Sequence, residues 1–446
     1  MREVEARPAN ARFSHSHPRE ERPLQSESGM GDQLPGPHLS DPSPGSESRN
    51  EACGDSRPPT SSWLARFWPL DRGEISGSLG DLGTFIPLLV GMSITNGLNF
   101  TSALFFAGVF NILTGLAFSI PMAVQPMKAI AAVAISENLR AEQILAAGIW
   151  TSAIVLFLGL SRLINVVDRL IPRPVIRGLQ LGLGIQLIEK GVLLVRDTGS
   201  FWGLDSTLTG ILGFALVLAL SSSRRIPVAL LLFSGGLVIA VATRHQVLQE
   251  MRLGFYLPHW VPITWEDFRS SFLRAALPQI PLTTLNSVVA VCALSADLFP
   301  DRPARPRGVS ISVGLMNLIG GWFGAMPMCH GAGGLAGQYR FGARSSTSIV
   351  FLGSVKMLLA LVFGGSLLAL LHGYPNSILG VLLGVSGLEL ALVARDQTER
   401  TPATVMYATA AAILALGNTA TGFIIGWILA VILRLNGQND PDEKQG

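Results

Sequence analysis

The chain has 446 residues, 49% of them hydrophobic and 14% charged, with 33 Lys and Arg against 30 Asp and Glu and a net charge of +3. A soluble domain carries about 25% charged residues, so this composition, with a mean hydropathy of +0.43, excludes an ordinary water-soluble enzyme. The basic residues are scattered, which excludes a nucleic-acid binder. Cys53, Cys292 and Cys329 are too few and too far apart to make a disulfide framework or a metal cluster, and no motif asks for a cofactor.

Residues 1–70 are polar and crowded with Pro, Ser, Gly, Arg and Glu. They cannot bury enough apolar area to offset chain entropy, so they read as a disordered cytosolic tail. No apolar stretch follows Arg2 and Arg7, and a signal peptide is not expected. Trp63, Phe67 and Trp68 suit a short interfacial segment over 61–72.

Apolar stretches then follow at 75–92, 100–120, 123–136, 142–160, 174–190, 206–222 and 226–243. After a wetter connector at 244–271 they resume at 272–295, 308–325, 329–338, 346–370, 375–394, 401–416 and 418–435, before a short tail at 436–446. Seven plus seven segments predict an all-α polytopic membrane protein. An odd number per half turns the two halves, 71–243 and 272–435, into opposite orientation, the pattern of an inverted-repeat transporter. With both termini in the cytosol, inner loops hold thirteen arginines, among them Arg169, Arg173, Arg177, Arg224 and Arg225. Outer loops hold six, among them Arg140, Arg244 and Arg252, so the charge bias favours that orientation.

Two segments are interrupted at corresponding places. Pro121-Met122-Ala123-Val124-Gln125 precedes Pro126-Met127-Lys128, and Pro327-Met328-Cys329-His330 precedes Gly331-Ala332-Gly333-Gly334. Pro126 suits the first turn of a helix, so 121–125 is expected to be non-helical. Irregular backbone inside a membrane is tolerated only beside protein or a watery cavity. Two half-helices would aim their N-termini, with free N–H groups and partial positive charge, at one point near the midplane. That is a seat for a small oxyanion. A lysine in a membrane is costly, and Lys128 in such a first turn is a ligand for an anion or, alternatively, a partner of Asp81 or Glu74.

The first segment, Glu74 to Pro87, places two acids about two helical turns apart; it lacks the spacing of a nucleotide-binding loop. Gln279, Thr283 and Asn286 fall on one face of the eighth segment, as ligands or as interhelical glue. Glu389 stands in the twelfth segment where Gln186 stands in the fifth, and a buried carboxylate there could carry a proton. His330 is a second proton candidate.

Glu74–Pro87, Pro126–Ala134, Pro281–Val288 and Met326–Arg344 resemble the MOT1 family of molybdate transporters, relatives of the sulfate permeases, and the resemblance covers about residues 70–435. It implies a fold of fourteen segments in two inverted repeats. A core domain (segments 1–4 and 8–11) and a gate domain (5–7 and 12–14) would hold the substrate between segments 3 and 10. The expectation is therefore a non-enzymatic secondary transporter of molybdate, working by alternating access and coupled to protons through Glu389, His330 or Asp81. Amides of Met127, Lys128, Ala129, Gly331, Gly333 and Gly334 would meet the anion, joined by side chains of Ser78, Gln125, Gln279, Thr283 or His330. The alternatives are a sulfate or other tetrahedral-oxyanion permease of the same fold and a non-transporting membrane scaffold or receptor. Membrane lipids are the expected surroundings, in the plasma or vacuolar membrane, and a homodimer is left open.

Overall fold

The computed structural model describes residues 70–164, 171–220, 227–243, 256–364, 366, 371 and 373–437. The polar tail, Leu70 excepted, lies outside the described residues, as do Arg169, Arg224, Arg225, Arg244, Arg252 and the chain end from 438. Among the described residues, six helices are long and apolar enough to cross a membrane by length and composition: Arg72–Asn96, Phe100–Phe118, Ala141–Leu160, Arg173–Arg196, Trp265–Leu298 and Asn376–Asp396. Shorter apolar helices stand between and after them.

The first of these is not one regular helix. Helix α1 (Arg72–Ser78) is capped by Asp71, which accepts from the Glu74 amide. A 3₁₀ turn at Leu79–Asp81 separates it from α2 (Leu82–Asn96). The two acids of this segment therefore take separate surroundings rather than one helical face. Glu74 accepts from the amides of Arg344 and Ser345, each at 2.9 Å, and of Ser348 at 3.2 Å.

After α3 (Phe100–Phe118) the chain forms strand β1 (Val124–Pro126), helix α4 (Lys128–Glu137) and helix α5 (Ala141–Leu160). Helices α6 (Arg173–Arg196), α7 (Thr207–Leu220) and α8 (Val228–Thr243) complete the first half. The second half opens earlier than its apolar run. Thr264 and Asp267 form a reciprocal cap that starts α9 (Trp265–Ser271). It runs through a π-helical turn (Phe272–Ala276), α10 (Leu277–Leu282), a second π-helical turn (Thr283–Val289) and α11 (Ala290–Leu298). Then come α12 (Pro306–Gly320), strand β2 (Met328–His330), α13 (Ala332–Arg340), α14 (Thr347–Phe363), α15 (Asn376–Leu392), α16 (Arg400–Leu416) and α17 (Thr419–Gly437).

Helix packing relates the halves. Helix α3 lies along α14, α12 along α5, and α15 along α6. The last pair is held at backbone contact. A Cβ added to Gly184 would fall 2.6 Å from the Gly387 carbonyl oxygen, and one added to Gly387 would fall 2.5 Å from that of Gly184. Small residues let membrane helices approach this closely, where dispersion and weak polar contacts replace the hydrophobic drive of water. At the other end of α4, Glu137 pairs with Arg274 at 2.9 Å and Arg140 with Asp267 at 2.5 Å, clamping the α4–α5 corner onto the long α9–α11 helix.

Candidate functional site

The two interrupted segments meet. Strands β1 and β2 pair antiparallel, with Val124 opposite His330, Gln125 opposite Cys329 and Pro126 opposite Met328. Each strand is pinned by an asparagine from the preceding helix. Asn111 of α3 accepts from the Val124 amide at 2.9 Å. Asn317 of α12 accepts from the Met328 amide and donates to the Met328 carbonyl, both at 2.7 Å. Helices α4 and α13 leave opposite ends of this ladder, so their N-termini face each other across it.

A cavity of about 300 Å³ opens at that point. Gln125, Pro126 and Lys128 line it from one half-helix, and Cys329, Gly331, Ala332 and Gly333 from the other. Gln279 comes from α10, Asn286 and Ser287 from the π-helical turn that follows it, Arg177 and Gln180 from α6, and Leu390 from α15. Among the described residues that line it, the charged ones are Lys128 and Arg177, both cations. Two larger cavities, of about 550 and 470 Å³, are lined almost wholly by apolar side chains and offer no set of donors for an anion.

The donors at the two helix starts are not equally open. Met127 N–H donates to the Pro327 carbonyl at 2.9 Å. The amides of Ala129 and Ile130 both donate to Gln279 Oε1, at 2.9 and 3.1 Å. The first turn of α4 is thus already capped by a side-chain carbonyl. In α13 the first intrahelical bond is Leu335 N–H to Gly331 O, which leaves the amides of Ala332, Gly333 and Gly334 without an intrahelical acceptor. Beside them lies Gln125, whose Nε2 donates to Asp81 Oδ1 at 2.5 Å. Asp81 is buried, and its second oxygen has no hydrogen-bond partner. Lys128 has no ion pair among the described residues; neither Asp81 nor Glu74 bridges to it.

Several residues expected at the site stand elsewhere. Strand alternation sends Gln125 and Cys329 to the cavity side and Val124 and His330 to the other. His330 is fully buried, bonds Ser312 at 2.9 Å and meets the Phe118 ring edge-on. Ser78 donates to Ile75 O at 2.7 Å and lines the 550 Å³ apolar cavity instead. Thr283 is buried behind Gln279, accepting from its Nε2 at 2.8 Å. Gly334 is buried under the Gln125 side chain. Glu389 is exposed rather than buried and accepts from Thr84 at 3.3 Å. It lies two residues past Gly387, about 200° round the helix from the contact with α6. Lys356 is buried with its ammonium 3.4 Å from the centroid of the Phe85 ring, a cation–π contact.

Arg177 and Gln180 are lining residues that sequence reasoning missed. Arg177 reads in sequence as one of a loop's many arginines, and its position at i−3 to Gln180 on α6 was the available signal.

A sequence profile described as "Molybdate transporter of MFS superfamily" matches residues 73–187 and 271–390. The chain is 42% identical over 438 residues to Molybdate transporter 2 of Arabidopsis thaliana, across 88% of this chain and 92% of that one. It is 37% identical over 477 residues to Molybdate transporter 1 of Chlamydomonas reinhardtii, across 82% and 91%. Among solved structures, SLC26A9 superposes with a TM-score of 0.62 at 15% identity, over 84% of this chain and 67% of that one. The transmembrane domain of the cyanobacterial bicarbonate transporter BicA superposes with a TM-score of 0.56 at 15% identity, over 80% and 97%. The structural likeness concerns the transporter fold alone. The profile, by contrast, spans both helix starts and the helix that supplies Gln279, and the plant and algal likeness runs through most of the sequence. The chain belongs to the molybdate transporter family.

Proposed function

We propose that this protein carries molybdate across a membrane as a secondary transporter, with the anion seated in the 300 Å³ cavity. The observation that carries the reading is the strand pair that brings two helix N-termini and Lys128 to one cavity, which Arg177 of α6 also lines. The plant and algal relatives bear the name molybdate transporter. The tetrahedral dianion accepts from the open amides of Ala332 and Gly333 and from Lys128, and Gln279 and Gln125 orient the two helix starts around it.

The finer architecture we propose is fourteen segments in two inverted repeats. Contacts of α3 with α14 and of α12 with α5 support it, because a two-fold relating the halves exchanges those pairs. Helices α1–α5 and α9–α14 form the core, and α6–α8 with α15–α17 form the gate that rocks against it. Both termini face the cytosol, as the arginine bias indicates, in the plasma or vacuolar membrane.

Moving a dianion against an inside-negative potential needs a driving ion. Of the three acid–base candidates, Asp81 alone touches a cavity-lining side chain, Gln125. We assign it the proton.

The test is uptake of labelled molybdate by vesicles containing the purified protein, with sulfate and bicarbonate as competitors. Saturable uptake blocked by excess molybdate and not by sulfate supports the reading. Equal competition by sulfate makes it a general oxyanion permease, and no flux of any anion rejects transport. Uptake that persists unchanged when the proton gradient is collapsed, or with Asp81→Asn, rejects the coupling.

A further inference from the structure

Arg177 is tied to its surroundings in a way that leaves it ready for exchange. Its Nε donates to both oxygens of Asp396, at 3.0 and 2.9 Å, and its Nη2 to Asp396 Oδ2 at 2.5 Å. Its Nη1 donates to Gln180 Oε1 at 2.9 Å. The two partners are unequally placed. The Arg177 side chain is 21% exposed and that of Asp396 is 45% exposed. The pair is a two-pronged one, the stronger kind, but Asp396 is open enough to its surroundings to swing away and leave the guanidinium to another anion.

Arg177 also occupies a junction. It lines the 300 Å³ cavity and, with Asn286, also lines a neighbouring cavity of about 260 Å³ that Arg173 lines as well. Arg173 and Arg177 are four residues apart at the start of α6, on one face. Arg173 has no ion-pair partner among the described residues. An anion leaving Lys128 and the α13 amides therefore meets a guanidinium fork that suits two oxygens of a tetrahedral anion as well as it suits a carboxylate.

We propose that Arg177 is an anion ligand held in reserve by Asp396, and that the transported oxyanion displaces the Asp396 carboxylate from it. Asp396 then acts as a built-in competitor. It recaptures Arg177 when the anion departs, which keeps the site from holding its cargo too tightly. This rests on the central cavity being the molybdate site.

The experiment measures molybdate binding to the purified full chain and its flux in vesicles for Asp396→Asn, Arg177→Gln and the double variant. Asp396→Asn, nearly the same shape, is expected to tighten binding about threefold or more, the size of a partly exposed ion pair, and to lower the maximal flux. Arg177→Gln is expected to weaken binding about tenfold. The double variant should bind like Arg177→Gln alone, because the carboxylate acts only through the arginine. Asp396→Ala serves as a second probe of the same loss, and thermal unfolding checks that each variant is folded. Unchanged binding and flux in all of them, with binding lost in Gly333→Leu, overturns the inference and leaves the central site standing. If Gly333→Leu also binds molybdate normally, the central site itself is wrong, and this inference falls with it.

Discussion

The carboxamide oxygen of Gln125 occupies the space that any side chain on Gly331 would need: a Cβ added there would stand 1.8 Å from it. Gln125 is buried, and its amide group is tethered to Asp81. The contact therefore links the first segment, the β1 strand and the start of α13 in one rigid corner. Gly331→Ala must push Gln125 off Asp81 or shift the α13 start. Overpacking of this kind is destabilising by about 1–3 kcal/mol. We expect a lowered unfolding temperature and loss of molybdate binding. Adding Gln125→Ala should relieve the clash but leave the buried Asp81 without its donor, so the unfolding temperature should recover only in part and binding not at all, which calorimetry and equilibrium binding on the two variants will check.

Gly333 is the contrasting glycine. A Cβ placed on it meets nothing within 4 Å and points into the space of the cavity it lines. Gly333→Ala should leave folding and uptake close to wild type. Gly333→Leu should fill the cavity and abolish uptake without lowering the unfolding temperature. Parallel uptake and unfolding curves for the two variants distinguish a filled site from a damaged fold.

Gln279 turns a neutral oxygen toward the Ala129 and Ile130 amides. Gln279→Glu keeps the shape and strengthens that cap, since a carboxylate is favoured at a helix N-terminus. It also puts a negative charge on the wall of the cavity. We expect an unfolding temperature equal to or above wild type and molybdate affinity at least about tenfold weaker. Gln279→Leu should instead leave two buried amides without acceptors, at about 1–3 kcal/mol for each, and unfold earlier. Normal affinity in Gln279→Glu would place the anion elsewhere.

The two pinning asparagines differ in how much they hold. Asn111 satisfies one backbone group of β1, whereas Asn317 satisfies both the N–H and the C=O of Met328. Each buried group left without a partner is destabilising by about 1–3 kcal/mol. Asn317→Ala should therefore lose roughly twice the stability that Asn111→Ala loses, read from denaturation midpoints in the same detergent.

Much of the architecture was legible locally. Pro126 and the glycine run after His330 announced two helix starts, and these begin at Lys128 and Ala332, within a few residues of the expected places. The correspondence of Gln186 and Glu389 pointed to related elements, and the glycines two residues before them, Gly184 and Gly387, turn out to touch. The same parallel misled about Glu389. Correspondence along the sequence places a residue on a helix but does not say which face is enclosed.

The lining of the site was legible only in part. Gln125, Lys128, Gln279, Gly331 and Gly333 all line the one cavity. His330 does not, because a strand of only three residues shows no alternation in sequence from which its facing could be read. Arg177 escaped notice because its role depends on α6 passing the two helix starts, a contact between distant parts of the chain.

Composition and hydropathy alone determined that this chain belongs in a bilayer, and proline and glycine placement determined where its helices break. Both follow from local physics: a polar backbone in lipid must satisfy itself within a helix, and ring closure or a missing side chain marks where it cannot. Which amides are already taken, which glutamine covers which glycine and which arginine reaches the cavity were decided by the tertiary structure. Ala129 and Gln279, for example, are bonded across 150 residues of sequence, and no short-range pattern encodes that pairing.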